Sequence, residues 1–283
     1  MADHDDTSAR NLSEKVIRDF GDEWTEYDQS DLSEDELATE FDDYFHIFPW
    51  DRVDSGSVGA DIGCGSGRWA AFVAPRVGRL LCVEPSHAIE VARRNLKGAQ
   101  NVDFIHADID RMPIDDESLD FAYCLGVLHH LPDPAAGMRR CVDKLKRGAP
   151  FLAYLYYRFD NRPAWYRMVW RASDLLRRVI QGLPHRAKVI VTTVIAGLVY
   201  YPLARLALML EKAGIGGRNI PLGQYRHNSF SVMRACALDR FGTAIEHRFT
   251  RDEIRALAEA SGLCDLSFTD RKYFWCFVGY RAD

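Results

Sequence analysis

The chain has 283 residues, of which 47% are hydrophobic and 27% charged, and its formal net charge is −5. This length accommodates one sizeable α/β domain with an elaboration and does not require two independent domains. The acidic balance argues against a nucleic-acid-binding protein, because such proteins carry a basic footprint. Seven cysteines without a C-x-x-C pair predict reduced thiols in a cytoplasmic protein rather than a disulfide framework or a metal site.

Residues 1–54 form an acidic, aromatic-rich segment. Its start lacks the basic and apolar regions of a signal peptide, and the first ten residues are predicted to be disordered. The spacing of apolar residues predicts helices over Leu12–Phe20 and Glu36–Phe48, and Ser33 is a suitable N-cap for the second. Two interpretations are open for these helices: packing at the edge of the domain, or a lid over a ligand.

A strand that runs straight into a glycine-rich turn follows at residues 58–69, where Gly63, Gly65 and Gly67 come shortly after Asp61. Glycine permits positive φ and lets a ligand approach the backbone closely. The G-x-G-x-x-G fingerprint is not matched, because Arg68 holds the place of its third glycine, and no lysine completes a phosphate loop. The segment predicts a nucleotide-like ligand at the carboxyl end of the first strand.

Two further strands end in acids. The apolar run Arg79–Val83 is followed by Glu84, which is placed to accept from both hydroxyls of a ribose. Ser86 then suits the cap of a helix that begins at His87. Residues 102–108 form the third predicted strand, and its final Asp108 suits the exocyclic amine of an adenine. The fourth strand is predicted over Leu119–Cys124, and residues 125–134 follow it.

Taken together, the glycine turn, the two acids and the His-His-Leu-Pro-Asp-Pro run at 129–134 resemble the class I S-adenosylmethionine-dependent methyltransferases. The branch they resemble includes the ubiquinone and menaquinone biosynthesis methyltransferases. The resemblance covers about residues 55–155 and implies S-adenosylmethionine as cofactor. It implies an α/β fold with a Rossmann-like seven-stranded, mostly parallel sheet, an antiparallel last strand and a helical cap. The cofactor-binding residues it implies are Asp61, Gly63, Cys64, Gly65, Gly67, Glu84, Asp108, Ile109 and Leu125.

The resulting layout has four segments. Residues 1–54 are the N-terminal helical segment or lid, and 55–155 the cofactor-binding core. Residues 156–249 follow the fifth strand as a helical insertion that caps the substrate, since more than ninety residues must form structure of their own. Residues 250–283 complete the core with a helix and a hairpin. Thr250 and Glu253 form a capping box, and the final strands are predicted over 266–269 and 274–280.

The first part of the insertion is strongly basic. This pattern suits an anionic surface or a phosphate-bearing substrate, whereas the alternative is a solvated helix face that pairs with the acidic N-terminal segment. Two acids, Asp160 and Asp174, stand in this stretch against eight basic residues: Arg158, Arg162, Arg167, Arg171, Arg177, Arg178, Arg186 and Lys188.

Residues 189–204 are almost free of charge. The stretch falls short of the eighteen apolar residues that indicate a membrane span, and Pro202 is expected to interrupt it, so no full span is predicted. A buried helical hairpin or a homodimer contact is one interpretation. The other is a greasy substrate tunnel or an anchor on a membrane surface for a lipid-like substrate. Beyond it, residues 225–250 combine dense polar groups with aromatic ones and are predicted to return the chain to the active-site face.

Methyl transfer requires alignment of the acceptor with the cofactor, and a base only if the acceptor loses a proton. His129, His130 and His227 are candidates because imidazole titrates near neutrality, and Tyr156 and Tyr157 are placed to orient an acceptor. Of these, His130, His227 and Tyr156 are the predicted catalytic residues. The His-His pair lacks a third ligand at metal spacing, so no metal site is predicted.

The sequence therefore predicts an enzyme that methylates a small, aromatic or partly apolar acceptor in secondary or cofactor metabolism. Two alternatives are open: methylation of a phosphate-bearing sugar or lipid-linked glycan, and a non-catalytic subunit that binds S-adenosylmethionine. The residues do not distinguish oxygen, carbon and nitrogen as the methylated atom.

Overall fold

The structure is a computed structural model that describes residues 11–27, 33–215, 220–270 and 274–283. The predicted disorder of the first ten residues lies outside this range.

A single sheet of seven strands, in the order β3-β2-β1-β4-β5-β7-β6, forms the centre of the molecule. Strands β1 to β5 are parallel, and β7 runs antiparallel to both β5 and β6. This arrangement confirms the predicted fold class. The strands are β1 (Val58–Ile62), β2 (Arg79–Val83), β3 (Val102–Ile105), β4 (Phe121–Leu125), β5 (Pro150–Leu155), β6 (Leu263–Phe268) and β7 (Trp275–Arg281).

Helices cover both faces of the sheet and also build the insertion of residues 156–249, which we call the cap. They are α1 (Glu14–Glu26), α2 (Glu34–Phe45), α3 (Ala70–Val73), α4 (Ala88–Asn95), α5 (Pro134–Asp143), α6 (Ala164–Ile180), α7 (His185–Ile195), α8 (Tyr201–Lys212), α9 (Phe230–Gly242) and α10 (Arg251–Ala260). One apolar cluster joins the sheet to α5 and α10, and a second joins its other face to α2, α3 and α4. Both faces of β1, β2, β4 and β5 are therefore buried, as in parallel sheets generally.

Helix caps explain several boundaries. Ser33 accepts a hydrogen bond from the Glu36 amide, and Thr250 and Glu253 form a reciprocal capping box, so both predicted caps are confirmed. Ser86 also accepts a hydrogen bond from a helix amide, that of Ala88. Helix α4 begins at Ala88, one residue later than predicted. Hydrogen bonds from backbone amides to the side chains of Glu84 and Ser86 therefore fix the chain between β2 and α4.

The two N-terminal helices have different positions. Phe41 and Phe45 of α2 are buried in the second core cluster, where their rings stack 4.2 Å apart. Helix α1 instead crosses the carboxyl edge of the sheet, where Gly21 lies against the ring of His87. The two interpretations of this segment therefore apply to different helices: α2 packs on the core, and α1 covers the edge where a ligand is expected.

The cap contains a helical stretch that the sequence does not predict as continuous. Residues 185–212 form 28 consecutive helical residues, in which the π-helical turn Ala196–Tyr200 joins α7 to α8. By length and composition this stretch is long and apolar enough to cross a membrane, although one such helix is weak evidence for a span. The expected interruption at Pro202 is wrong, because the wider π turn just before it accommodates a residue that cannot donate a backbone hydrogen bond.

Candidate functional site

The glycine turn after β1 adopts a backbone that few other residues tolerate. Gly63, Gly65 and Gly67 have φ values of +80°, +52° and +76°. The amides of Gly63 and Cys64 donate to the Val83 carbonyl oxygen at 2.8 and 3.0 Å, so the turn is held against the end of β2. The Cys64 side chain is buried, and only its backbone remains to face a ligand. Helix α3 is a single turn, so the recognition surface is the turn itself rather than a helix terminus.

Glu84 follows β2 and is bonded to the same turn. One carboxylate oxygen accepts from the Gly65 amide at 3.1 Å, and the other accepts from the amide and hydroxyl of Ser86 at 3.0 and 2.6 Å. Burial raises the pKa of Glu84, while these donors oppose the shift. Each carboxylate oxygen has two lone pairs, so Oε2 retains acceptor capacity for a ligand hydroxyl.

Asp61 lies within β1 beneath the turn and is 2% exposed. Burial raises the pKa of Asp61 to about 8, and the neighbouring Tyr123 hydroxyl opposes this shift. Among the described residues, Asp61 Oδ2 has no hydrogen-bond partner. A buried acceptor without a donor is costly, so this oxygen suits a ligand that brings a positively charged donor.

Asp108 and Ile109 lie in the loop just after β3, beside Glu84. The Glu84 amide donates to the Ile105 carbonyl oxygen at 3.0 Å, which sets the two strand ends side by side. Asp108 Oδ1 accepts from the Arg111 amide at 2.9 Å, and Ile109 is buried. The structure thus brings the predicted cofactor residues of strands β1, β2 and β3 to one edge of the sheet.

Trp24 of α1 closes this edge from above. A Cβ added to Gly65 would lie 2.9 Å from Trp24 Nε1, so the close approach that this glycine permits is made by the indole. The Arg68 guanidinium lies 5.2 Å from the Trp24 ring centroid and 4.2 Å from that of Trp69. Sequence reasoning included Trp24 in an aromatic-rich segment but not in the site, because no local pattern links it to a turn forty residues away.

A cavity of about 560 Å³ opens beside the end of β4, where Leu125 and Gly126 line it. Its other walls come from α1 and α2, from the residues just after the glycine turn, from the end of β5 and from the cap. The cavity therefore lies between the sheet and the cap. The lining is rich in aromatic side chains: Phe20, Trp24, Tyr27, Tyr44, Trp69, Tyr154, Tyr156, Tyr157, Phe159, Tyr166, Trp170, Tyr200, Tyr225, Phe241 and Phe274. An aromatic cleft that also carries polar groups is typical of a small-molecule site.

Asp239 of α9 is the acid that meets a predicted catalytic residue in this cavity. The Tyr156 hydroxyl donates to Asp239 Oδ2, and both residues line the cavity. Burial, followed by the charge of Glu246, raises the pKa of Asp239 to about 7. Sequence reasoning missed Asp239, although an acid within the apolar run of α9 was an available signal. A pKa near neutrality makes this carboxylate a suitable general base.

His130 lies behind this pair and is 3% exposed. Its Nδ1 is 2.7 Å from the Ile245 carbonyl oxygen and therefore donates, which leaves Nε2 unprotonated, 3.9 Å from Asp239 Oδ1. Burial lowers the pKa of His130 to about 4, so the imidazole is neutral at pH 7. The reason for predicting His130 as a base, its titration near neutrality, does not hold in this environment.

None of the three candidate histidines is among the described residues that line the cavity. His129 is fully buried, stacks on Tyr156 at 3.8 Å and accepts from the Tyr156 amide at 3.3 Å, so it positions that residue. His227 is 63% exposed, with Nε2 3.0 Å from Glu211 Oε2 on the outside of the cap. The structure therefore does not bring His227 together with Tyr156. The polar block 225–250 reaches the cavity through other side chains: Asn228, Asp239, Arg240 and Arg248.

Within the described residues, five carboxylates and three arginines line the cavity: Glu23, Glu26, Glu40, Asp43, Asp239, Arg68, Arg240 and Arg248. Glu246, 2% exposed at its side chain, lies 3.2 Å from Arg240 and 2.7 Å from Arg248. Arg68 pairs with Glu40 at 3.5 Å. Glu23 also lines the cavity, and burial and then Asp239 raise its pKa. Each of the three arginines in the described lining is thus paired with a carboxylate, and the lining as a whole has an excess of acids.

Comparison with known proteins agrees with this architecture. Residues 60–153, a third of the chain, match the family model described as a methyltransferase domain. A ubiquinone biosynthesis O-methyltransferase of Serratia proteamaculans is 28% identical over 135 residues, covering 46% of this chain and 54% of that protein. A tRNA U34 carboxymethyltransferase of Alteromonas mediterranea is 32% identical over 120 residues, covering 36% of this chain and 35% of that protein. The chain spans about half or less of these curated relatives.

Solved structures share the fold at low identity. A chain of the complex between the Haloferax volcanii Trm112 methyltransferase activator and a methyltransferase has a TM-score of 0.55 at 16% identity, covering 94% of this chain and 98% of that one. Human N-acetylserotonin methyltransferase in complex with S-adenosylmethionine has a TM-score of 0.51 at 12% identity, covering 87% of this chain and 52% of that one. The predicted resemblance to class I methyltransferases is confirmed, and the predicted enzyme class and cofactor are supported.

Proposed function

We propose that the protein is an S-adenosylmethionine-dependent methyltransferase whose acceptor is a small, aromatic or partly apolar molecule. The observation that carries this proposal is the position of the cavity: it begins at Leu125, beside the strand edge that holds Asp61, the glycine turn and Glu84. A cofactor on that edge would present its reactive end to the cavity, where an acceptor would be enclosed between α1 and the cap.

The residues present fit this cofactor. Glu84 retains acceptor capacity for ribose hydroxyls, and Asp108 lies beside it for the adenine. The orphaned Asp61 Oδ2 suits the ammonium group of the methionine part. When bound, the cofactor supplies a methyl group already activated on a sulfonium centre. The protein then has to align the acceptor, exclude water and, for a hydroxyl or amine acceptor, remove a proton.

The cavity favours an uncharged aromatic acceptor over a phosphate-bearing one. Its aromatic walls offer stacking and apolar burial, whereas Arg68, Arg240 and Arg248 are each paired with a carboxylate. An anionic phosphate would also face Glu23 and Asp239. None of the eight basic residues that motivated the phosphate alternative is among the described residues that line the cavity.

Proton removal is assigned to Asp239. An acceptor hydroxyl beside the Tyr156–Asp239 pair would pass its proton to the Asp239 carboxylate as its oxygen bonds to the methyl carbon and the bond between that carbon and the sulfonium sulfur breaks. Asp239 is matched to this step at neutral pH because burial brings its pKa to about 7. Tyr156 positions the carboxylate through its hydroxyl, and His129 positions Tyr156 from beneath.

The first test is calorimetric titration with S-adenosylhomocysteine, with NAD as the control ligand. We expect binding of S-adenosylhomocysteine alone, accompanied by proton release near pH 7. Asp61 is protonated below its raised pKa of about 8, and a bound ammonium group would favour its anion. Repeating the titration in buffers of different ionisation enthalpy measures the released proton. Binding of NAD, or of neither ligand, contradicts the cofactor assignment.

The acceptor is tested by transfer of a labelled methyl group to a panel of catechols, hydroquinones and aromatic amines, with sugar phosphates as the contrasting set. We expect turnover of aromatic compounds. Turnover of the phosphates alone would contradict the assignment of the acceptor, and cofactor binding without turnover of any compound would favour the non-catalytic subunit.

A further inference from the structure

The cap exposes large apolar side chains to an extent that the rest of the molecule does not. Within the described residues, every large apolar side chain that is more than about a third exposed lies between Trp165 and Phe230. On α6, Met168, Leu175 and Val179 are 63%, 65% and 68% exposed. Their spacing of seven and four residues places them on one face of the helix.

The long helix of the cap carries a second apolar stripe. Ile190, Leu198 and Met209 are 65%, 75% and 68% exposed, and 22% of its most apolar eighteen-residue stretch is buried. From Ile190 to Met209 the stripe runs about 28 Å at the usual helical rise. Monomeric proteins seldom leave contiguous apolar surfaces of this extent uncovered, and such surfaces mark binding sites for proteins, membranes or ligands.

Basic side chains border the stripe on α6. Arg167, Arg171 and Arg178 are exposed, and the Arg178 side chain is 66% exposed even though it pairs with Asp174 at 3.2 Å. Trp165, 44% exposed, stands at the start of the same helix. An amphipathic helix with apolar and tryptophan side chains on one face and arginines beside it is typical of helices that lie in the interface of an anionic bilayer.

The apolar surface is continuous with the cavity. Val169, Leu176 and Val199 are 52%, 47% and 44% exposed, and all three also line the cavity. The exposed faces of α6 and of the long helix therefore meet at the cavity wall. Their apolar surface leads from the outside of the cap to Tyr156 and Asp239 without crossing the core.

We propose that α6 and the helix of residues 185–212 dock the protein on the surface of an anionic lipid bilayer, so that a lipid-dissolved acceptor enters the cavity between them. The entry of an acceptor rests on the proposed function, whereas the docking does not. The bilayer matches both properties of the face: its acyl region covers the apolar stripes, and its acidic headgroups pair with the bordering arginines.

Polar anchors keep the long helix along the domain rather than across a membrane. Lys188 is 3% exposed and lies 3.0 Å from Asp19 of α1. Seventeen residues later, Arg205 donates to the carbonyl oxygens of Arg226 and Asn228 at 2.7 and 3.1 Å. A spanning position would strip these groups of their partners in hydrocarbon, where unsatisfied polar groups are costly. The helix therefore lies along the bilayer surface, and its exposed apolar stripe faces the acyl chains.

The test is flotation of the full chain with vesicles of pure phosphatidylcholine or of phosphatidylcholine with phosphatidylglycerol. We expect binding to the anionic vesicles that weakens with salt, and much weaker binding to the neutral ones. The double variant Leu175→Asp, Val179→Asp should lower partition onto anionic vesicles at least about tenfold. The matched control is Ala256→Asp on α10, an exposed position of the core that should not change partition.

The charge contribution is measured separately with the double variant Arg171→Glu, Arg178→Glu. It should lower partition onto anionic vesicles about tenfold or more and leave the weak binding to neutral vesicles unchanged. Arg94→Glu on α4 is the control for a single exposed arginine of the core. Binding of S-adenosylhomocysteine by each variant reports that its core is folded.

Two outcomes overturn the proposal. One is absence of flotation with either vesicle, or equal flotation of the wild type and the Asp double variant. The other is a lipid-free dimer, seen by sedimentation velocity, that the Asp double variant dissociates, because this would assign the face to a second copy of the chain. Flotation by a protein that does not bind S-adenosylhomocysteine would refute the proposed function and leave the docking surface intact.

Discussion

The sheet core and the cap differ in how each covers its apolar and its charged groups. In the core, the rings of Phe121 and Phe151 are fully buried, and the acid Glu84 is held by backbone and hydroxyl donors. In the cap, Leu198 is 75% exposed, and the buried acid Glu246 is held by two arginines. The core thus buries its large apolar side chains, whereas the cap is stabilised by charge pairs and leaves large apolar side chains exposed.

Helix α1 belongs to both regions. Its Trp24 covers the glycine turn of the core, and its Asp19 pairs with Lys188 of the cap. Lys15 also reaches the Gln181 carbonyl oxygen at 3.2 Å, between α6 and α7. Because one helix contacts the cofactor edge and the cap at once, displacement of α1 would open both the cofactor edge and the acceptor cavity.

The cap is proposed to supply the general base, and the core is proposed to supply the cofactor site. Asp239→Asn should therefore lower kcat/KM by about 10²–10⁴-fold and leave the affinity for S-adenosylhomocysteine unchanged. In the wild type, kcat/KM should rise with pH up to about 7 and then level off, because the base must be unprotonated to accept a proton and its pKa is about 7. Steady-state rates from pH 5.5 to 9 measure this limb.

Asp252→Asn, an exposed position on α10, is the control for loss of one carboxylate and should leave the pH profile unaltered. An Asp239→Asn enzyme that keeps the wild-type rate and pH limb would remove Asp239 from the chemistry. The base would then have to be sought on the core side of the cavity.

The dependence of the cap on charge pairs is tested by Lys188→Met. The substitution removes one of the two lysines that pair with Asp19, since Lys15 remains 2.9 Å from Oδ2, and it takes the Lys188 donor from the Gly242 carbonyl oxygen. Loss of a buried charged donor to a carboxylate and a carbonyl oxygen should lower the free energy of unfolding by about 2 kcal/mol, because Lys15 still compensates the charge of Asp19. Urea denaturation followed by tryptophan fluorescence measures the loss.

Lys146→Met is the matched substitution in the core. Lys146 pairs with Asp120 at 2.6 Å but is 51% exposed, so the expected loss is about 1 kcal/mol or less. Equal losses for the two lysines would mean that the cap does not depend on buried charge more than the core does.

The predictability of the two regions follows from the range of the contacts that build them. Gly63, Gly65 and Glu84 lie within about twenty residues of each other on consecutive strands, so their spacing alone predicts the cofactor edge. Asp239 meets Tyr156 across 83 residues, and Trp24 meets Gly65 from a separate helix, so no local pattern identifies either contact.

The cap also shows where residue type alone misleads. His227 has the side chain of a general base, but the turn before α9 places it on the outer surface next to Glu211. His130 lies behind the Tyr156–Asp239 pair and not on the cavity wall, and burial lowers its pKa to about 4. Pro202 predicts a break, and the π turn at Ala196–Tyr200 carries the helix through it. In each case tertiary packing decided an outcome that local chemistry left open.

The reciprocal experiment in the core is Glu84→Gln. Both oxygens of Glu84 accept from fixed donors, so the amide nitrogen of a glutamine must face a donor whichever way it turns. We expect the Kd for S-adenosylhomocysteine to rise about tenfold or more, with the pH limb of kcat/KM at saturating cofactor unchanged. Glu90→Gln, an exposed acid on α4, is the control in calorimetry. An unchanged Kd for Glu84→Gln would place the ligand elsewhere.

The smallest expected effect lies where core and cap meet, because Tyr156 follows β5 of the core and its hydroxyl bonds to Asp239 of the cap. Tyr156→Phe keeps the ring stacked on His129 and removes only this hydrogen bond, which contributes about 0.5–1.5 kcal/mol. The rate at the pH plateau should fall by about tenfold or less. The pH limb should move to higher pH, since a carboxylate that loses a donor is harder to deprotonate. A lower plateau with an unmoved pH limb would mean that Tyr156 only orients the acceptor, and that other residues around Asp239 set its pKa.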